Sequence, residues 1–384
     1  MGQQLLIKNV ILCSNNSAGR KTDILVSGGR IERIEDAGTV SCECPSVDGG
    51  GLMAIPGLID IHIHGAGGSD SLDGTRQDFE TISRTLSGSG ITSFLTTMVV
   101  RPGSDNIHLK MAAECTGKDL GGAELLGVHI EGPFISIEKR GGIIPDCITS
   151  PSADILDNLL DVAGKALKLM CVAPEIRGIS KMIKLLLDNG IRVSFGHSDA
   201  GYEDTLKGFD MGISHVTHLF NAMRPLHHRD PGPLAAIFET SHISAELIAD
   251  SYHVHPSLIK MTHKLKTNCK IVCITDGISG MGLPEGKYRY NDREYISEGG
   301  LARYVDGTFI GSTMNLMQIL SNFMKFTGCS LPEAIDTVTI NPARIAGVEN
   351  RKGSLEVGKD ADIVLITPSL NVSKTIIAGK IIDT

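Results

Sequence analysis

Apolar and polar positions along this 384-residue chain follow two rhythms. The ends read as short strands. QLLIKNVIL (4–12), TDILVSG (22–28) and GRIERIED (29–36) run or alternate apolar and are broken by Gly, Asn and Ser, the punctuation of β structure. DADIVLIT (360–367) and SKTIIAGKIID (373–383) repeat the pattern at the other end. Two β-rich ends around a different middle predict one small β-sandwich domain, assembled from residues 1–52 and 346–384.

The middle, residues 53–345, alternates short apolar runs with amphipathic stretches. The runs are AIPGLIDIHIH (54–64), TSFLTTM (92–98), LLGVHIEG (125–132), LMCVAPE (169–175), RVSFGHS (192–198), HVTHLF (215–220), AELIADSYH (245–253) and KIVCITDG (270–277). Helical spacing lies between them at 75–86, 152–167, 179–190 and 256–266, with Ser152 placed to start one helix and Gly190 to end another. Strand–helix alternation repeated eight times predicts an α/β fold, a (β/α)8 TIM-type barrel. A doubly wound open sheet is the rival. It normally carries a Gly-rich phosphate loop after its first strand, and GAGGSDSLDG (65–74) matches no such fingerprint. Residues 287–309 read as a β hairpin or lobe inserted after the last barrel strand, with helices following at 313–327 and 331–338.

Composition narrows the partners. With 36 basic and 44 acidic residues the net charge is −8, which argues against nucleic acid as a partner. An anionic small substrate stays open, because one local Arg can override the global sign. Trp is absent and aromatics are 4%, so the core must be aliphatic. No apolar run is long enough to span a membrane, and the start MGQQLLIKNV lacks the features of a secretory signal. Nine Cys with no zinc-type pairs predict free thiols in a reducing cytoplasm.

The chemistry sits at the C-terminal ends of the eight runs. They close on His62 and His64, Glu131, His197, His218, His253 and Asp276. In a barrel these ends converge on one face, and imidazoles with carboxylates suit Zn or Fe. An HxH on a regular strand puts both imidazoles on one side. Each of these residues alone has an ordinary structural reading; it is the joint pattern that predicts a metal site. Asp276 can be a turn residue before Gly277, but beside a metal it can take a proton from water and hand it to a leaving amine. His215 reads as structural and His129 as at most an indirect contributor. His108, His242 and His263 read as surface or packing residues, and His227 and His228 as an exposed loop. Asn221, Arg224 and Arg229 lie in the loop after the sixth run, where an Arg fork suits a phosphate.

GLIDIHIHG, HIEGPF, APE, GHSDAGYED, THLFNAM, RDPG, DSYHVHP, TDG and IGS follow in this order. This set resembles the N-acetylglucosamine-6-phosphate deacetylases of the amidohydrolase superfamily, from about residue 47 to GSLEVGKDADIVLI (353–366). The resemblance implies Glu131, His197 and His218 as ligands of a main divalent metal and Asp276 as acid/base. It implies His62 and His64 as ligands of a second ion, so one or two ions per chain. It implies Gly142, Asn221, Ala222, His253, Phe309, Ile310 and Gly311 around the substrate, and Arg229 as a phosphate contact supplied across a homodimer. The implied reaction removes acetate from an amino-sugar phosphate in the cytoplasm. Ile143 stands where the family has a His, and Ser251 where it has a Gly. An alkyl group cannot replace an imidazole donor, so another N-acetyl sugar, such as N-acetylgalactosamine 6-phosphate, is the alternative substrate. A cyclic amidohydrolase bridging two metals with a carboxylated Lys is a third reading, and Glu131 counts against it. A non-catalytic barrel would be expected to have lost ligand positions, and none are lost.

Overall fold

The computed structural model describes residues 4–13, 19–290 and 293–382. Eight parallel strands form the central sheet: β1 (Leu58–Ile63), β2 (Ile91–Met98), β3 (Glu124–Glu131), β4 (Leu167–Val172), β5 (Arg192–Phe195), β6 (His215–Val216), β7 (Ser244–Leu247) and β8 (Ile271–Cys273). They pair in chain order, and all eight apolar runs supply one. Helices at Arg76–Ser87, Ile107–Cys115, Ala153–Ala163, Ile179–Asp188, Tyr202–Asp210, Gly232–Glu239 and Pro256–Leu265 separate them. Near-continuous apolar runs form strands buried on both faces, because helices cover the outside. The architecture is the (β/α)8 barrel that the alternation predicts.

The barrel closes between its first and last strands at the mouth. The Asp276 N–H donates to the His62 carbonyl at 3.0 Å, and the His64 N–H to the Gly277 carbonyl at 2.7 Å. Inside the barrel, Ile59, Ile61, Leu95, Leu126, Leu169, Val272 and Ile274 form an aliphatic layer, together with Ala343, Ile345 and Ala346 of the helix Ile340–Ala346. That helix plugs the opposite end, where Arg192 at the start of β5 donates to the carbonyls of Arg344 and Ile345. With no Trp to fill it, the interior is packed by branched aliphatics.

The inserted lobe is larger than a hairpin. Gly286–Tyr290, Arg293–Glu298, Leu301–Tyr304 and Phe309–Ser312 form a four-stranded antiparallel sheet. Its last strand joins the barrel seam: the Ser312 N–H donates to the Asp276 carbonyl at 2.9 Å. Gly311 makes that approach possible, since a Cβ there would lie 2.4 Å from the Asp276 carbonyl oxygen.

The two chain ends share one eight-stranded sheet. Strand Gln4–Leu12 pairs with Lys21–Ser27 on one side and with Ser46–Asp48 and Met53–Pro56 on the other. Met53–Pro56 pairs in turn with Ile363–Ile366. The sheet curls until its two halves meet, with the Ile31 N–H on the Lys359 carbonyl (2.9 Å) and the Ala361 N–H on the Gly29 carbonyl (2.8 Å). Leu5, Ile7, Ile24, Val26, Ile363, Leu365 and Ile376 share the core so enclosed. One expectation fails in this unit. Cys42 and Cys44 are disulfide-bonded, whereas seven other cysteines are free. The bend between them brings their Cα atoms to 5.4 Å, within disulfide range, which spacing alone did not reveal.

An ion cluster centred on the buried pair Lys352 and Asp362 ties this unit to the foot of the barrel. The Lys352 side chain is 3% exposed and its Nζ lies 2.9 Å from Glu124 of β3. It also bonds Asp362, beside the strand Ile363–Ile366, and Arg351 spans Glu124 and Asp360. Removing Lys352 leaves the buried Asp362 carboxylate without its cation. Lys352→Met is therefore expected to destabilise the fold by about 3–5 kcal/mol in denaturant unfolding; a loss below about 1 kcal/mol, the range of surface pairs, would reduce Lys352 to a minor contact.

Candidate active site

The polar strand ends gather over the aliphatic layer. Glu131 ends β3, while His197 and His218 stand just beyond β5 and β6. Glu131 Oε1 lies 2.9 Å from His197 Nε2 and 3.0 Å from His218 Nε2, and the two Nε2 atoms are 3.0 Å apart. His197 Nδ1 is engaged by the Lys139 carbonyl at 2.9 Å. A carbonyl only accepts, so Nδ1 carries the hydrogen and Nε2 presents its lone pair.

A second group faces the first across Glu131. His62 Nε2 lies 3.2 Å and His64 Nε2 3.4 Å from Asp276 Oδ1. The same nitrogens are 3.6 Å from Glu131 Oε1 and Oε2 respectively. His62 is not placed by simple alternation. The pairing of β1 with β2 runs from Asp60 opposite Phe94 to Ile63 opposite Thr96, one extra residue on β1. Such a bulge re-aims side chains, and here both imidazoles of the HxH reach the same Asp276 oxygen.

Backbone strain concentrates at the same place. His197, His218 and Asp276 have φ of 46°, 28° and 50°, and such conformations persist only where the surroundings over-determine them. Ser251, at φ 72°, occupies a conformation that Gly takes without strain.

The electrostatics are those of a cation site. Burial would raise the Glu131 carboxyl, yet His197, His218 and His62 hold it well below its ordinary range. Asp276 is likewise held well below the usual carboxylate range, against burial, by His62 and His64. Burial and the neighbouring His62 push His129 down to about 3, so it is neutral. His62 Nε2, His64 Nδ1 and His218 Nδ1 are buried without a hydrogen-bond partner. Imidazole lone pairs and carboxylates converging within 4.8 Å, some without a hydrogen-bond partner, fit a divalent ion between Glu131, His197 and His218 and another between His62, His64 and Asp276.

These groups open onto a cavity of about 190 Å3 lined also by Gly142, Ile143, Asn221, Ala222, His253, Tyr290, Phe309, Ile310 and Gly311. Every expected substrate residue but one is therefore at the cavity. The exception, Arg229, is exposed and donates to His228 Nε2 at 2.8 Å. Tyr290 also walls a larger hollow of about 790 Å3.

Three residues escaped the sequence reading. Glu246 of β7 lies at 2.8 Å from His62 Nδ1, 3.2 Å from His215 Nε2 and 3.0 Å from the His218 N–H. Burial would raise its carboxyl, but His62 and His215 hold it far below the ordinary value. Asp250 Oδ2 engages His253 Nδ1 at 2.5 Å. Tyr290 stands edge-on to His64 at 6.0 Å between ring centres. The available signal for Glu246 and Asp250 was the pair of charged residues within the apolar run AELIAD; Tyr290 carried none.

The model of the amidohydrolase family matches residues 53–382. The chain is 33% identical over 99% of its length, and 98% of the relative's, to the N-acetylglucosamine-6-phosphate deacetylase of Bacillus subtilis (strain 168). This chain belongs to the amidohydrolase family, among the N-acetylglucosamine-6-phosphate deacetylases. The crystal structure of that enzyme from Pasteurella multocida superimposes with a TM-score of 0.92 at 26% identity, covering 98% of this chain and 99% of that one. An N-acetylgalactosamine-6-phosphate deacetylase of Escherichia coli O157:H7 is 33% identical over 86% of this chain and 87% of its own. The family depends on metal. No helix among the described residues is long and apolar enough to cross a membrane.

His197→Ala is expected to lose on dialysis the metal that the native protein retains, read by elemental analysis. Arg229→Ala, outside the cluster, is expected to keep it. Equal metal content in both would dissolve the assignment of the ligand set.

Proposed function

We propose that this chain hydrolyses the acetamido group of N-acetylglucosamine 6-phosphate, releasing acetate and glucosamine 6-phosphate. One observation carries the reading: Asp276 sits at the barrel seam beside His62 and His64, on the same cavity as Glu131, His197 and His218. Glu131, His197 and His218, with His62 and His64, would hold divalent ions, which would supply a lowered water pKa and polarisation of the amide carbonyl. Asp276 accepts the proton of the attacking water and returns it to the leaving nitrogen, so that the amide C–N bond breaks with a neutral amine as leaving group. His253, oriented through Nδ1 by Asp250, turns its other ring nitrogen to the sugar. Asn221 and the Ala222 main chain border the sugar, and Phe309 and Ile310 form the apolar wall against the acetyl methyl. Zn and Fe both match the imidazole–carboxylate set, with His62 and His64 supporting two ions rather than one. Arg229, exposed near the mouth and absent from its own cavity, supports a homodimer in which each chain offers this guanidinium to the other's substrate phosphate. The seven free thiols agree with a cytoplasmic setting, and the Cys42–Cys44 disulfide is the one feature that runs against it.

A second reading is favoured by Ile143, which lines the cavity as a buried alkyl wall. It is the deacetylation of N-acetylgalactosamine 6-phosphate, the substrate named for the Escherichia coli relative.

Acetate release from the two phosphorylated epimers and from unphosphorylated N-acetylglucosamine decides between them. The expected order is the gluco epimer, then the galacto epimer, then the unphosphorylated sugar; preference for the galacto epimer would transfer the proposal to the second reading. Asp276→Asn is expected to keep the ion of Glu131, His197 and His218 while losing about 10²–10⁴-fold in kcat. A near-native rate would remove Asp276 from the proton transfer.

A further inference from the structure

Glu246 lies within β7 with none of its surface exposed to solvent. Its Oε2 meets His62 Nδ1 at 2.8 Å and the His218 N–H at 3.0 Å. Its Oε1 meets His215 Nε2 at 3.2 Å, and His215 Nδ1 is in turn engaged by Ser244 Oγ at 2.8 Å. An ionised carboxylate can only accept. The hydrogen of the His62–Glu246 bond therefore sits on Nδ1 of His62. In the neutral ring this leaves a lone pair on Nε2, the buried nitrogen that faces Asp276 and Glu131 without a hydrogen-bond partner. One carboxylate thus touches a member of each ligand group: the imidazole of His62 in one and the strained main chain of His218 in the other.

We propose that Glu246 is a positioning residue for the second ion, selecting the tautomer and ring orientation with which His62 offers Nε2. This rests on the reading that an ion is held between His62, His64 and Asp276. The contact range explains why the role is hidden: 184 residues separate His62 from Glu246. His62, His129 and Glu246 also approach closely enough to be a ligand group themselves. The short Nδ1–carboxylate contact favours a hydrogen bond there, and an ion in that place would leave Nδ1 bare of hydrogen.

The test is metal binding by the holoenzyme, read by elemental analysis and by competition with a chelator. Glu246→Gln keeps the shape but removes the charge and sets an NH2 group against one of three donors. The expected result is an unchanged first ion and a second ion bound about 10–100-fold more weakly, the usual effect of losing a ligand's hydrogen-bond partner. His62→Asn should weaken the same ion at least as much, and adding Glu246→Gln to it should cost little more, because Glu246 acts through that imidazole. Full affinity for both ions in Glu246→Gln, parallel loss of both, or additive losses in the double variant would each overturn the proposal. Should Glu246→Gln fail to fold, the imidazole 15N spectrum of the metal-loaded native protein decides instead. His62 is expected to carry hydrogen on Nδ1 and coordinate through Nε2; coordination through Nδ1 refutes the role. Metal counts need no substrate. A native protein with two ions but no acetate release defeats the deacetylase reading alone, and one with a single ion that still releases acetate defeats this inference alone.

Discussion

The site depends on how the barrel closes. β8 is three residues long, and the seam between it and β1 is held at the mouth by main-chain bonds joining His62 to Asp276 and His64 to Gly277. Those bonds fix the backbone of three chemical residues directly. The lobe strand Phe309–Ser312 adds to the same seam through the Asp276 carbonyl. Closure and chemistry therefore share one set of hydrogen bonds. A substitution that loosens the seam moves both HxH imidazoles relative to Asp276, and the φ of 50° at Asp276 persists only because both neighbours constrain it.

The second constraint is charge. Glu131 and Glu246 lie buried, with the partly buried Asp276, in a small volume together with His62, His64, His197 and His218. Burying ionised carboxylates is tolerable only with hydrogen bonds and positive charge nearby. Imidazole N–H groups that donate to Glu246 supply part of that stabilisation. A divalent ion supplies it more compactly and leaves the imidazoles neutral, which is why a donor set of this kind reads as a metal site. The aliphatic layer of Ile59, Leu95, Leu126 and Val272 beneath keeps the environment dry, and the electrostatic interactions correspondingly strong.

Much of this was legible in the chain because barrel strands are apolar runs and a polar residue at the end of each is conspicuous. Eight runs gave eight strands, and the histidines and carboxylates closing them converge as expected. What stayed hidden lies inside the runs or between distant ones. Glu246 interrupts AELIAD without altering its strand character, and its partner His62 is on the opposite side of the chain order. The bulge between Asp60 and Ile63 exists only as a pairing offset against β2. The Cys42–Cys44 bond depends on a local bend. Arg229 lies exposed on the loop after β6 and lines none of this cavity, so nothing within the one chain gives it a partner in the site.

The cavity wall bears on specificity in a way that the departure at Ile143 makes concrete. Its polar side is Asn221 and His253; its apolar side is Ile143, Phe309 and Ile310. A site that hydrogen-bonds a hydroxyl rejects an analogue lacking it far more strongly than an apolar wall rejects a hydroxyl it merely touches. Ile143 can shape the space but cannot count hydroxyls. Discrimination between epimers of an amino sugar must therefore rest on the donors that are fixed in place, and His253 is the one most rigidly held, with Asp250 setting both its ring and, at 2.8 Å, its main-chain N–H. The alkyl wall relaxes one edge of the pocket while the metal-facing edge, set by the seam, stays unchanged. On this geometry the chemistry is more tightly determined than the identity of the sugar.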